Sequence, residues 1–195
     1  MILTGLADVA WPVCTDRLTI RPATIDDADA IWSYRRLPEV GRWIASAPAD
    51  RQEFVDDFAT RVGGFWVIER DGRLIGDLKL TIADGWAQRE AAEEAKDREA
   101  EVGWVLHPNE TGNGYATEAL RAVIKIGFSE LGLRRIVANC FAANDASWRL
   151  MERVGMRRES HTVKDSLHRE LGWLDGYSYA ILSEEWPPSQ PQGAL

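Results

Sequence analysis

The stretch Val105-Leu-His-Pro-Asn-Glu-Thr-Gly-Asn-Gly-Tyr-Ala-Thr-Glu-Ala119 runs from an apolar strand end through a turn with two glycines into an Ala-rich helix start. This is the geometry of an anion site. Gly112 and Gly114 let the backbone approach a phosphate closely. The N–H groups of the helix's first turn, at Gly114, Tyr115, Ala116 and Thr117, have no intrahelical acceptor and carry the helix dipole behind them. A plain tight connection has the same local pattern, so the flanking elements decide what the turn belongs to.

Downstream, Ala116, Ala119, Leu120, Val123, Ile124, Gly127, Phe128 and Leu131 fall at steps of three and four, which predicts a helix from about Tyr115 to Leu131. Arg134 to Ala142 reads as a β-branched strand. Asn144 to Val154 reads as a helix closed by Gly155, and strands are predicted over Met156 to Val163 and Leu174 to Leu182. Upstream, Glu99 to Leu106 is a strand, and Asp84 to Arg98 is a charged, exposed loop or short helix. Phe65 to Arg70, the turn Asp71-Gly72, and Arg73 to Ile82 form a hairpin signal. Before it, Phe54, Phe58 and Val62 recur every four residues in a helix from about Asp50. Thr24 and Asp27 form a capping box for a helix that stops before Pro38, and Arg17 to Pro22 alternates as a first strand. The order of elements predicts an α/β protein, of the α+β kind with a mixed sheet.

With 195 residues and 45% hydrophobic content, the chain can bury one sizeable core, and one domain is expected. A formal net charge of -8 repels phosphate backbones, which argues against nucleic acid as a partner. Cys14 and Cys140 are too few for a disulfide framework. No secretion signal and no transmembrane-length stretch is visible, so a reduced, cytoplasmic protein without a membrane partner is expected. His107, His161 and His168 lack metal-ligand spacing, so no metal is expected.

Thr111-Gly-Asn-Gly-Tyr-Ala116 resembles the Q/R-x-x-G-x-G/A pyrophosphate loop of the Gcn5-related N-acetyltransferase (GNAT) superfamily. The longer Gly112 to Ala119 is similar to its RimJ/RimL branch, which acetylates ribosomal protein N-termini. Thr111 departs from the pattern, standing where the superfamily commonly has Gln or Arg and this branch often has Trp. A second segment, Asn144-Asp-Ala-Ser147 followed by Leu150 to Met156, resembles the family's N-x-x-S helix. The resemblance covers about Cys14 to Trp186. It implies a GNAT fold with a central mixed sheet of about six to seven strands flanked by helices. The expected organisation is a flexible N-terminus (1–13), a single GNAT domain (14–186) and a disordered tail (187–195).

The resemblance further implies acetyl-CoA as co-substrate. Thr111, Gly112, Asn113, Gly114, Tyr115, Ala116 and Thr117 would hold its pyrophosphate. Trp104, Val105 and Leu106 would lend backbone groups to the pantetheine arm, Asn144 would bond that arm, and Ser147 would lie near the thioester sulfur. Homodimers are common in the family, although no segment here specifies an interface.

Transfer to an amine needs a neutral amine, a donor for the developing oxyanion and a proton for the departing thiolate. Glu99 and Glu101 share one face of their strand, and Glu101 better matches the Glu that the superfamily often places there. Met151 occupies the position where many members carry a proton-donating Tyr, and the resemblance to the RimJ/RimL branch implies Ser147 as the acid instead. A carboxylate that the branch can carry further on falls near Asp165 or Ser166. This modest set favours an α-amine, whose pKa lies about 2.5 pH units below that of lysine, so its neutral form costs about 3.4 kcal/mol less. The expected reaction is acetylation of a protein N-terminus. A small amine such as an antibiotic, polyamine or amino acid, a larger donor such as succinyl-CoA, and a non-catalytic CoA-binding module are the alternatives. Trp32, Trp43, Trp66 and Trp104, among nine tryptophans, could border the amine site or belong to the core.

Overall fold

The structure, a computed structural model, describes residues 9–186. In chain order it comprises β1 (Val13–Cys14), β2 (Thr19–Pro22), α1 (Ala28–Arg35), α2 (Pro38–Gly41), α3 (Arg51–Arg61), β3 (Phe65–Arg70) and β4 (Arg73–Ala83). There follow α4 (Ala92–Ala95), β5 (Glu99–Leu106), α5 (Tyr115–Ser129), β6 (Arg135–Phe141), α6 (Asp145–Arg153), β7 (Arg157–His168) and β8 (Gly172–Leu182). The strands form one mixed sheet in the order β1-β2-β3-β4-β5-β6-β8-β7, flanked by helices. Its eight strands correct the expected six to seven. The addition is β1, whose Val13 pairs with Ile20 and Cys14 with Thr19; two residues carry no periodicity to read. Of the segment expected to be flexible, residues 1–8 lie outside the described residues, as does the tail at 187–195.

The local signals act where they stand. Asp27 accepts from Thr24 N at 2.8 Å and opens a 3₁₀ turn that runs into α1. Pro38 ends that path and also begins α2, where its fixed φ and missing N–H cost nothing. Asp50 caps α3 by accepting from Glu53 N at 3.0 Å. Asp71 and Gly72 have φ of 51° and 74°, as the tight β3–β4 turn requires. Gly155, at φ 93°, closes α6: its N–H donates to Glu152 O and that of Met156 to Met151 O, both at 3.0 Å.

β7 and β8 run longer than predicted. The polar Lys164-Asp165-Ser166 conceals a register shift between Thr162 and Ser166, after which pairing resumes to His168. Asp175 anchors that shift by accepting from Lys164 N at 3.0 Å, while Lys164 sits at φ 50°.

The described residues group into two compact units, one of Ala10–Thr81 with Val102–Val123, the other of Val9, Ile82–Glu101 and residues 124–186. In the first, α1 and α3 lay Ile31, Tyr34, Phe54 and Phe58 against Phe65, Val67 and Val105. Trp66 is fully buried in the core, and the partly buried Trp32 packs against the core through Phe54 at 5.4 Å. Asp77 of β4 is buried and accepts from Tyr34 Oη at 2.6 Å and from the Arg35 guanidinium, fastening α1 to the sheet. In the second unit, Leu133, Ile136, Ala138, Leu150, Met151, Val154, Tyr179 and Ile181 are buried. Gly127 brings α5 close to β6, since a Cβ there would stand 2.7 Å from Ile136 Cδ1.

Candidate active site

In the first unit, β5 ends where His107 N donates to Ile75 O at 2.8 Å. Beside it, Gly76 allows β4 to press on β5: a Cβ would lie 2.5 Å from Val105 O and 2.6 Å from Leu106 Cδ2. Backbone cannot yield as a flexible side chain does. Gly76→Ala is therefore expected to lower the melting temperature by about 5 to 10 °C and to raise KM for the acyl donor. Thermal unfolding followed by circular dichroism checks it; an unchanged transition would mean β4 does not press on Val105.

From His107 the chain makes a 3₁₀ turn over Pro108–Glu110, with Asn109 N donating to His107 Nδ1 at 3.2 Å. Thr111 Oγ1 donates to Pro108 O at 2.7 Å, so this side chain stabilises its own turn. Gly112 and Gly114 have φ of 80° and 79°, a region in which side-chain-bearing residues are strained. The first helical bond of α5 runs from Glu118 N to Gly114 O at 3.1 Å, so the N–H groups of Tyr115, Ala116 and Thr117 precede the intrahelical ladder. A Cβ at Gly112 would meet nothing within 4 Å, and one at Gly114 only Arg17 Nη2 at 3.5 Å. The space over these exposed glycines fits a phosphate. Thus the loop residues Thr111 to Thr117 stand together as the sequence implies, and Trp104, Val105 and Leu106 lead into them on β5.

Four charged residues frame the loop: Glu110 and Glu118 stand within Val105 to Ala119, whereas no motif singles out Arg17 and Arg70. Arg17 donates from Nη1 to Asn113 O at 2.9 Å and from Nε to Glu118 Oε2 at 2.7 Å. Glu118 also accepts from Thr15 Oγ1 at 2.6 Å and Arg17 N at 2.9 Å. Burial acts to raise its carboxyl, but these donors outweigh it and hold the group below the usual carboxylate range. Arg70 Nη1 donates to Tyr115 Oη at 2.7 Å and to the buried Glu110 at 3.1 Å. Tyr115 therefore contributes its backbone to the loop's mouth and its side chain to the frame.

The second unit carries the other candidates. Glu99 is committed to Arg134 at 3.6 Å and Arg135 at 3.1 Å. Glu101 is exposed and accepts from Asn139 Nδ2 at 3.2 Å, and Asn139 Oδ1 accepts from Ser178 Oγ at 2.7 Å. Register puts these three on one sheet face, since Glu101 pairs with Val137 and Asn139 with Ser178. Gly176 shares that face, and its missing Cβ leaves room for Thr162 Oγ1, Asp165 Oδ1 and Ser166 Oγ, which would approach to 2.8–3.1 Å. The Thr162 and Ser166 hydroxyls hold the Asp165 carboxyl below its usual range. Asp165 thus supplies a carboxylate on the side that Glu101 faces. Asn139 and Ser178 had no motif to reveal them.

Asn144 is the N-cap of α6, its Oδ1 accepting from Ser147 N at 3.3 Å. Burial pushes the Cys140 thiol up to about 11. Met151 is fully buried and joins the core. Among the described residues, no group of three or more His, Cys, Asp or Glu is placed to hold a metal ion, and no helix is long and apolar enough to cross a membrane.

Comparison with known proteins agrees with this layout. The acetyltransferase (GNAT) domain family matches residues 17–157. The N-acetyltransferase YnaD of Bacillus subtilis is 35% identical over 89% of this chain and 98% of its own length. The crystal structure of a GNAT-family acetyltransferase from Bacillus anthracis superposes with a TM-score of 0.75 at 31% identity, covering 89% of this chain and 99% of that one. RimJ of Mycobacterium smegmatis, in complex with CoA-disulfide, superposes with a TM-score of 0.70 at 27% identity over 87% of this chain and 84% of its own. The family match over residues 17–157 and these relatives show that the chain belongs to the GNAT family and is an acyl-CoA-dependent N-acetyltransferase.

Proposed function

We propose that the protein transfers acetyl from acetyl-CoA to the α-amine of a protein N-terminus. The observation that carries this reading is Glu101. It is an exposed carboxylate with an amide for its partner, in contrast to its neighbour Glu99, which two arginines neutralise. Such a group accepts a proton from an α-amine directly or through water, and an α-amine needs less help than a lysine side chain. The resemblance of Gly112 to Ala119 to the RimJ/RimL branch points to the same substrate class.

The N–H groups of Gly112 to Thr117 receive the pyrophosphate, the backbone of Trp104, Val105 and Leu106 and the side chain of Asn144 hold the pantetheine arm, and bound acetyl-CoA supplies an activated thioester carbonyl. Ser147 passes a proton to the departing sulfur and is restored through water by the proton that Glu101 took from the amine.

Thiol release from acetyl-CoA is the test, with peptides beginning Ser, Ala, Thr or Met set beside polyamines and aminoglycosides. The expected result is turnover with peptides. Turnover confined to small amines would move the substrate to that class. Binding of CoA without thiol release from any amine would favour the non-catalytic reading, which the buried Met151 at the usual Tyr position supports.

A further inference from the structure

We infer that Arg17 is the positioning residue that prearranges the phosphate loop: it fixes the Asn113–Gly114 peptide and cancels the charge of Glu118. The inference rests on the reading of Gly112 to Thr117 as the pyrophosphate site.

The first part follows from peptide geometry. Asn113 stands between two glycines of positive φ, the residue type that loses most freedom on ordering. If the loop became ordered only on binding, that entropy would be subtracted from affinity. Arg17 Nη1 holds the Asn113 carbonyl at 2.9 Å. In a trans peptide the carbonyl and the following N–H point in opposite directions, so anchoring Asn113 O on Arg17 turns the Gly114 N–H away from Arg17, outward for an anion. The Arg17 guanidinium also lies over the Tyr115 ring at 4.6 Å, so one side chain touches the loop and the first residue of α5 together.

The second part concerns charge. Glu118 is in the first turn of α5, where a bare carboxylate would compete with phosphate for the same N–H groups and repel it. Instead it is drawn onto Thr15 Oγ1, Arg17 N and the Arg17 guanidinium, across 101 residues of sequence from Arg17. The carboxylate is held ionised there, so Arg17 must remain to balance it. With its Nε and Nη1 donors engaged by Glu118 and Asn113, Arg17 acts on the ligand through the loop.

The test compares acetyl-CoA with acetyl-pantetheine, a donor that lacks the phosphates. Arg17→Ala is expected to raise KM for acetyl-CoA about 30-fold, the scale of one charge-assisted hydrogen bond. It should leave kcat at saturation within about twofold and the acetyl-pantetheine KM unchanged. Adding Glu118→Gln should recover about fivefold of the loss by removing the uncompensated charge. Arg17→Lys, which keeps the charge without the planar fork, should fall between, and it decides the matter if Arg17→Ala does not fold. Equal losses on both donors, or no loss on acetyl-CoA, would overturn the inference. If the wild-type protein itself uses acetyl-pantetheine as well as acetyl-CoA, the phosphate-loop reading fails. If the wild type discriminates and the Arg17 variants do so equally, only the role of Arg17 fails.

Discussion

Gly114→Val is expected to weaken acetyl-CoA binding by at least about 100-fold while the protein stays folded. At φ 79° a β-branched residue is strained, by roughly 1–2 kcal/mol for the left-handed region alone. Two responses are open to the loop, and both damage the site. It can return to negative φ and rotate its N–H groups out of convergence, or it can keep its shape and stand an isopropyl group over them. Either way two or more hydrogen bonds to charged oxygens are lost, each worth about 1.5–3 kcal/mol, and every 1.4 kcal/mol is about tenfold in affinity. The fold should tolerate the change because residue 114 is exposed and its Cβ would meet only Arg17 Nη2, at 3.5 Å. Calorimetric titration with CoA, beside a melting curve, checks this. A folded variant with unchanged affinity would remove the phosphate-loop assignment.

Glu101→Gln is expected to reduce kcat/KM by about 100-fold near neutral pH, within the usual range for removing a general base. The substitution keeps an oxygen that can accept from Asn139 Nδ2, so the row through Asn139 to Ser178 should survive and the loss should be chemical. The pH profile separates the two. The wild-type profile should depend on both the base and the amine, whereas the variant should keep only the amine's limb. Glu99→Gln is the control: its carboxylate is neutralised by Arg134 and Arg135, and its activity should stay within about threefold of wild type. If Glu101→Gln retains full activity with an unaltered profile, the proton leaves by another route, and Asp165, on the same sheet face, becomes the base to test.

Much of the fold was legible because its signals are local. The Asp71-Gly72 turn, the caps at Asp27, Asp50 and Asn144, and the glycine that closes α6 each act on residues within one turn or one hairpin. The expected bounds of β5 are those it has, and the expected α5 ends within two residues of Ser129. What misled the reading was equally local. β1 is too short for any pattern, and the polar residues after Val163 concealed a bulge beyond which β7 continues.

The candidate site divides along the same line. By itself, the sequence determined the glycine loop, the strand that enters it and the N-x-x-S helix, because backbone conformation and helix ends depend on neighbouring residues. It also carried the family. Only the tertiary structure decided which side chains serve those pieces. Arg17 finds Glu118 and Asn113 across about half the chain, Glu101 rather than Glu99 is left without an arginine, and Asp165 comes to lie over Gly176 through a strand register no spacing could announce. The physical reason is that a side chain's partner and charge state are set by what the folded chain brings within a few ångströms, and many residues of the right type compete for that place in the unfolded sequence.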